Sequence, residues 1–590
     1  MSELKDIVRG GSFVITQTDA ADVFTPEDFT DEQKMIAKMT SDFIEGEVVP
    51  HREQLEKLDI DLTVKLLKQA ADLGLLAADI PEANEGLELD KISSTLITEH
   101  ITRGGSFALS HGAHVGIGTL PIVFFGNEEQ KAKYLPDLAS GAKFAAYCLT
   151  EPGSGSDALG AKATAVLNSE GTHYILNGTK QFITNAGFAD VFVVYAKVDG
   201  DKFSAFIVEK EYPGVSTGPE EKKMGIKASS TRPLILEDVA VPVENLLGEV
   251  GRGHVIAFNI LNIGRYKLAA GCIGSSKYAL ELSAKYANER KQFGQPIAKF
   301  PLIREKLAEM NIRTYATESM IYRIGGLIET ALSGEQASGK AVADAIAEYA
   351  IECSISKVFA SEAFDFVVDE GVQIHGGYGF INEYPIETMY RDSRINRIFE
   401  GTNEVNRLLI PGTLVKNALK GKLPLMQAAQ ALQSELMMLM PSQIDESEPL
   451  AVETDLIEKA KKIFLMIGGY GVQKYQAVLD QQQEVLHNLA DMMIEIYAME
   501  SCLLRAKKQI DKGGEAEAKH KIDMTKVFVN DTFGKIELLA RETLAAMEEG
   551  DMLRTQLSIL KKLTRYTPQN TIAIKRELAN TIVEQEGYVN

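Results

Sequence analysis

The chain contains no tryptophan and only four cysteines, Cys148, Cys272, Cys353 and Cys502, among 590 residues. The cysteines are scattered and form no CxxC pair, which argues against a disulfide framework or a zinc site, so no metal is expected. No run of about 18 apolar residues stands out, so no membrane span is expected. Basic residues are outnumbered, 62 Lys and Arg against 83 Asp and Glu, leaving a net charge of −21. An acidic surface repels phosphate, so a nucleic-acid partner is not expected, although a local basic pocket for an anionic ligand stays open. The N-terminal MSELKDIVRGGSFVITQTDAADVF has no long apolar run and little Arg. A cytoplasmic location is expected, or a mitochondrial one if a transit peptide has been removed.

What is present is a change of texture along the chain. A length of 590 residues is too great for one hydrophobic core, and about two to four domains are expected. Residues 30–142 read as helical, opening on a capping box at Thr30 and Gln33 followed by Met35, Ile36, Met39 and Phe43 at helical spacing. Near Phe144 the pattern shifts to short β-branched and aromatic runs: FAAYCLT, THYILNG, QFITN, VFVVYAKV, FSAFIVEK and RPLILEDVAV. These predict a β domain over 143–250. Helical periodicity returns over 251–415, with long segments near 254–290, 301–332 and 336–372. This block order, mainly α with a middle β domain, argues against alternating βαβ units, and no GxGxxG stands in a strand-to-helix context. LAEMNIRTYATESMIYR at 307–323 recurs as LADMMIEIYAMESCLLR at 489–505 with nine of 17 positions identical, and KVF recurs at 357–359 and 526–528. Residues 451–590 therefore read as a degenerate copy of the preceding bundle, after an N-terminal extension at 1–29 and a helix and linker at 416–450.

Three segments carry chemistry. YCLTEPGSGSDALG at 147–160 offers backbone N–H groups and hydroxyls suited to a flavin ring or a phosphate; a plain Gly/Ser surface loop is the alternative. QIHGGYGF at 373–380 allows close backbone approach to a ligand, or simply ends a helix. YRDSRINRIFEGTNEVNR at 390–407 places Glu400 beside Phe399 and before Gly401 and Thr402. Desolvation there raises a carboxylate toward the range of a useful base; an exposed helix-cap glutamate is the bland reading.

Together, in this order, and with KKMGIKASSTRP at 222–233, VPVENLLGEVGRG at 241–253 and NERKQFGQPI at 288–297, these segments resemble the acyl-CoA dehydrogenase family over residues 30–415. The whole chain resembles its very-long-chain branch, which carries an extra C-terminal helical domain. The resemblance implies an N-terminal helical domain, a middle β domain and a C-terminal four-helix bundle, with FAD between the last two. It implies that Tyr147, Leu149, Thr150, Gly155 and Ser156 line the flavin or the pantetheine arm of the substrate, and that Phe182, Ile183 and Thr184 back the isoalloxazine ring. Phe182 stands where the family usually has tryptophan. Arg290 and Gln292 match positions reaching the FAD pyrophosphate of a neighbouring subunit, Gln373, Gly376 and Gly377 match the loop near its adenosine end, and Thr402 and Glu404 match further cofactor contacts. Asn262, Arg265 and Gly401, with Ser156, match acyl-CoA contacts. Glu400 matches the catalytic base. A minority of members carry the base just before an arginine; here Gly264 precedes Arg265 and cannot serve.

The implied chemistry is α-proton abstraction by Glu400 with β-hydride transfer to flavin, while the backbone N–H of the base and a flavin hydroxyl hold the thioester oxygen. The product is a trans-2-enoyl-CoA and the electron acceptor an electron-transfer flavoprotein. SHGAHVGIGTLP at 110–121 falls where the family lines its acyl tunnel, and Gly112, Gly116 and Gly118 leave room for a long chain; plain packing is the alternative. IGGYG at 467–471 echoes IHGGYG outside the register of the repeat and reads as a decoy. The copy has no ERKQFG or EGTNE counterpart, so it is expected to lack cofactor chemistry and to cover a pairing surface, giving a homodimer. LPLMQAAQALQSELMMLMP at 423–441 carries an apolar stripe of Leu425, Ala429, Leu432, Leu436 and Met440; a core or subunit-packing helix and a peripheral membrane helix are both open. An acyl-CoA oxidase and a non-catalytic respiratory-complex assembly factor are the competing functions.

Overall fold

The computed structural model of the chain describes residues 8–332, 339–437, 444–445 and 447–590. Its first helices are α1 (Asp31–Phe43), α2 (Arg52–Glu56), α3 (Ile60–Asp72), α4 (Lys91–Ile101), α5 (Ser106–Gly112), α6 (Leu120–Phe125) and α7 (Glu128–Ala139). The capping box is present: Gln33 N donates to Thr30 Oγ1 at 3.2 Å and Thr30 N to Gln33 Oε1 at 3.0 Å, satisfying two N–H groups that the helix itself leaves free. Between α5 and α6 the chain runs through a wider π-type turn, Ala113–Gly118. Ser106–Phe125 is apolar and long enough to cross a membrane by composition, contrary to the expectation that no such run exists; 78% of its apolar window is buried inside the protein.

The middle of the chain is a sheet of β1 (Ala145–Cys148), β2 (Thr164–Leu167), β3 (His173–Thr184), β4 (Val191–Val198), β5 (Lys202–Glu209), β6 (Val215–Thr217), β7 (Thr231–Pro242) and β8 (Leu246–Leu247). The order is β6-β7-β3-β2-β4-β5-β8, with β1 parallel to β4. THYILNG and QFITN, expected as two strands, form the single long β3. Register shifts between Leu176 and Gly178 and between Lys180 and Ile183 absorb the glycine without ending the strand. β4 is buried on both faces. Phe192 and Val194 enter the sheet's own core, while Val191, Val193 and Tyr195 join the core shared with the helices, as the two-residue period of a strand requires.

The bundle follows: α8 (Gly253–Glu289), α9 (Pro301–Leu332), α10 (Gly339–Glu348), α11 (Ala350–His375), α12 (Pro385–Ser393) and α13 (Asn403–Leu419). The helix expected over 336–372 is broken at Tyr349, which leaves helical geometry (φ −97°, ψ 27°), and residues 333–338 lie outside the described set. Next come α14 (Leu425–Met437), α15 (Ala451–Tyr475), α16 (Gln483–Glu517), α17 (Lys519–Met547), α18 (Gly550–Leu563) and α19 (Thr571–Gln585). Leu432 and Leu436 of α14 are buried, and Ala429 packs near Gly469 of α15. Met440 of the expected stripe lies outside the described residues. IGGYG stays inside α15 as ordinary helix, whereas Gly376 (φ 59°) ends α11.

The repeated segments lie on α9 and α16 and face each other. Arg323 Nη2 donates to Glu500 Oε2 at 2.6 Å and Arg323 Nη1 to Ser501 Oγ at 3.2 Å, with the guanidinium 4.4 Å from the Tyr497 ring centroid. Arg505 Nη1 donates to Glu318 Oε2 at 2.7 Å and to Ser319 Oγ at 3.2 Å, 4.8 Å from the Tyr315 centroid. Arg323 matches Arg505, Glu318 matches Glu500, and the serines and tyrosines match likewise, so one chain contains the reciprocal contact of a two-fold interface. Phe359 and Phe528 of the two KVF segments also meet, 5.9 Å apart. Residues 12–28 strap the joint: Glu27 accepts from Arg505 Nη2 at 2.7 Å and the Thr16 carbonyl accepts from Lys461 Nζ at 2.9 Å. Removing one partner strands buried charge, so Arg505→Met is expected to lower stability by about 3–5 kcal/mol in chemical denaturation. A loss below about 1 kcal/mol contradicts a structural role for the pairs.

Candidate active site

Glu400 sits in the turn leading into α13, which Thr402 caps by accepting a bond from Val405 N at 3.2 Å. Glu400 has φ 57° and Gly401 φ 79°. Glycine adopts the left-handed region freely, whereas glutamate there is held by its surroundings. Three side chains hold the carbonyls of this turn. Asn406 Nδ2 donates to Gly401 O at 2.9 Å and Thr402 O at 3.0 Å, Arg265 Nε to Glu400 O at 3.2 Å, and Lys357 Nζ to Gly401 O at 2.8 Å. The carboxylate itself is not tied down: Glu400 Oε2 is buried without a hydrogen-bond partner among the described residues. Burial pushes its pKa up to about 7 against the opposing pull of the Arg265 and Lys357 charges.

Glu400 faces an apolar cavity of about 240 Å³ whose lining runs along α8 from Ile263 to Tyr278. Fifteen residue steps of helix correspond to about 22 Å of axis, so the cavity is long as well as narrow. Gly264 lines it directly against Glu400: a Cβ there would stand 2.4 Å from Glu400 Oε2. Its glycine identity is thus a demand for space, beyond its inability to act as a base. Gly112 and Gly116 also line the cavity, and a Cβ on Gly112 would meet nothing within 4 Å. Gly118 does not belong to it. A Cβ there would come within 3.0 Å of Ala145, so this glycine lets the π-type turn pack on β1.

The residues expected around a flavin fall in two groups. Thr184 lines the same cavity as Glu400. Phe182, at φ 59°, leaves its ring 62% exposed, an apolar plane open to a flat partner. The Tyr147 and Tyr195 rings meet edge to face with centroids 5.3 Å apart, and both hydroxyls are buried. Gly155 has open space where a Cβ would project, and Ser156 is exposed. These features suit a planar, polar-edged group at the sheet's edge. Leu149 and Ile183 differ from expectation: both side chains are buried in core, so only their backbones can face a ligand. Thr150 O is occupied by Gln181 N at 2.8 Å. A buried Lys180–Glu151 pair at 2.7 Å, with Glu151 also accepting from Lys162 N and Ala163 N, tethers this loop.

The second group, Arg290, Gln292, Gly376 and Gly377, lines a separate cavity of about 540 Å³ with Tyr286 and Tyr378. Gln373 is exposed on α11 outside that lining. The Thr402 hydroxyl is used as a helix cap, and Glu404 is exposed. Asn262 Oδ1 accepts from Arg265 Nη1 at 2.9 Å, and the Gly401 carbonyl is taken by Lys357 and Asn406. Among the described residues no cluster of three or more His, Cys, Asp or Glu could hold a metal. Sequence reading missed Lys357, Asn403 and Asn406. The one signal for Lys357 was a lone cation inside the otherwise apolar helix SISKVFA.

Family models described as acyl-CoA dehydrogenase N-terminal, middle and C-terminal domains match residues 30–142, 146–239 and 251–414, and a second model described as a C-terminal domain matches 459–562. A probable acyl-CoA dehydrogenase of Bacillus subtilis (strain 168) is 62% identical over 587 residues, 99% of each chain. The very long-chain specific acyl-CoA dehydrogenase of Bos taurus mitochondria is 36% identical over 517 residues, 82% of this chain and 75% of the relative. A crystal structure of an acyl-CoA dehydrogenase complexed with FAD from Bacillus anthracis superposes with a TM-score of 0.98 at 62% identity, covering 99% of this chain and 100% of the other.

The infrared carboxyl band that Glu400→Gln removes is expected to titrate near pH 7, neutral below and ionised above. The folded-state value lies above the ordinary 4.5, so the stability tied to the neutral acid is complete below about pH 4.5 and lost as pH rises through 7. Glu400→Gln escapes that loss, worth on the order of 3 kcal/mol, and its gain in thermal stability over wild type should grow between pH 5 and pH 8. An equal difference at both pH values would refute the buried, unpartnered carboxylate. Gly264→Ala should displace the carboxyl and shift the band's frequency.

Proposed function

Because the chain belongs to the acyl-CoA dehydrogenase family, we propose that it dehydrogenates long-chain acyl-CoA thioesters to trans-2-enoyl-CoA in β-oxidation, with FAD as cofactor and Glu400 as base. The observation that carries this reading is the buried, unpartnered Glu400 carboxylate facing a long apolar cavity. FAD, when bound, supplies the acceptor for the β-hydride. Phe182 and Thr184 would hold its ring end, and Arg290, Gln292 and the Gly376–Gly377 backbone its phosphate and adenosine end.

Glu400 receives the α-proton. Its neighbours leave Oε2 free for that task, and water-poor surroundings bring its basicity close to neutral pH, where a general base is most effective. The length of the cavity and the openness at Gly112 and Gly116 support long acyl chains. Thr184 and the group of Arg290, Gln292, Gly376 and Gly377 line different cavities of one chain, which supports a homodimer whose subunits share each site. The α16 face that pairs internally with α9 supports a dimer that stops there. Electron-transfer flavoprotein is the proposed acceptor.

Anaerobic titration with palmitoyl-CoA should bleach the flavin of the wild type and leave Glu400→Gln yellow. Hydrogen peroxide formation in air would favour an oxidase, and a flavin bleached by no acyl-CoA would overturn the dehydrogenase reading. Light scattering should give a dimer, and a tetramer would contradict the covered face.

A further inference from the structure

The structure assigns to Lys357 the role of positioning residue for Glu400: it fixes the turn that carries the base and sets the charge against which the base ionises. This rests on the dehydrogenase reading for its functional meaning and on geometry for its physical content.

Lys357 lies on α11 with its side chain fully buried. A buried ammonium costs several kcal/mol unless its donors are used. Nζ donates to Gly401 O at 2.8 Å, on the turn that follows Glu400, and to Asn403 Oδ1 at 2.7 Å, at the first residue of α13. Among the described residues no carboxylate oxygen lies within 4.0 Å of Nζ. Direct contacts to the ammonium thus come from one carbonyl and one amide oxygen, which compensate its charge only in part. If Lys357 were needed only for packing or for two hydrogen bonds, a neutral donor would serve without that cost.

The charges facing Lys357 are Glu400 and Glu404 around the turn and Arg265 on α8, with the Cys272 thiol beside them; burial pushes the Lys357 pKa down to about 8. Lys357 and Arg265 both favour the ionised form of Glu400. The two cations differ in what they grip. Arg265 holds the carbonyl of Glu400 itself, which fixes the peptide on the C-terminal side of that residue, and Lys357 holds the next one, which fixes the peptide between Gly401 and Thr402 where the turn enters α13. Asn403 is braced from behind. Its Nδ2 donates to Ser361 Oγ at 3.1 Å and Glu362 Oε1 at 3.0 Å, Glu362 accepts from Arg407 Nη1 at 2.7 Å, and Arg407 Nε donates to Asp491 of α16 at 2.7 Å. A continuous polar chain thus runs from the C-terminal domain to the catalytic turn and ends on Lys357.

The test uses full-length protein loaded with FAD. In Lys357→Met, the infrared midpoint of Glu400, followed without substrate, should rise by about one pH unit or more, because a facing cation is lost. Flavin reduction at saturating palmitoyl-CoA should slow at least about ten-fold while the half-saturating concentration changes less than about three-fold, the pattern of a lost transition-state interaction. Lys357→Gln keeps a donor for Gly401 O without the charge; its midpoint should also rise while its rate falls less. If Lys357→Met fails to fold, the midpoint of Lys357→Gln decides. A wild-type midpoint in the folded variants, or a rate loss matched by weakened half-saturation, overturns the assignment. If no acyl-CoA bleaches the wild type, the dehydrogenase reading fails, and the substrate-free midpoint still reports on Lys357.

Discussion

The reciprocal pairing of Arg323 with Glu500 and of Arg505 with Glu318 is the contact on which the arrangement of this chain depends. Each guanidinium is buried between a carboxylate, a serine hydroxyl and a tyrosine ring supplied by the opposite copy of the same helix. Buried charges tolerate no vacancy, so the two helices can meet in this register and in few others. The N-terminal strap through Glu27 and the Thr16 carbonyl closes the same joint, which ties residues from both ends of the chain to one seam.

From that seam the consequences reach the site. With α16 seated on the bundle, Asp491 meets Arg407, Arg407 meets Glu362, and Glu362 orients Asn403 at the start of α13. The turn before α13 can then hold Glu400 at a positive φ, with its carbonyls occupied and its carboxylate free. A domain without the glycine-rich cofactor motifs thus braces the turn that carries Glu400, a backbone conformation that glutamate does not favour on its own.

The site divides its labour by polarity. Backbone carbonyls are taken up by Arg265, Lys357 and Asn406, while the Glu400 carboxylate lies at the cavity with Oε2 buried and without a partner among the described residues. An orphaned carboxylate is a liability in an ordinary core; here desolvation raises its proton affinity toward neutrality, and the missing Cβ of Gly264 leaves the space it needs.

Much of this was legible in the sequence because it is local or periodic. Thr30 and Gln33 fall three residues apart and must meet across the first turn of a helix; alternating branched residues demand strands; the 307–323 and 489–505 segments repeat because their helices share a face; and Glu400 lies in a motif that resembles a known family. The sequence by itself therefore determined the order of helices, sheet and helices and the duplicated bundle, and it singled out Glu400 as the candidate base. Tertiary structure alone decided the rest. Gly118 packs on β1 while Gly116 lines the cavity, because the sheet lies against one side of this helical stretch and the cavity against the other. The helix near 336–372 breaks at Tyr349, and Ile183 turns inward while Phe182 is left in the open. Lys357 gained its role from a turn 44 residues away, and Arg505 its meaning from Glu318 across the seam. Such contacts join residues that no spacing rule relates, and they exist only once the core has brought the elements together.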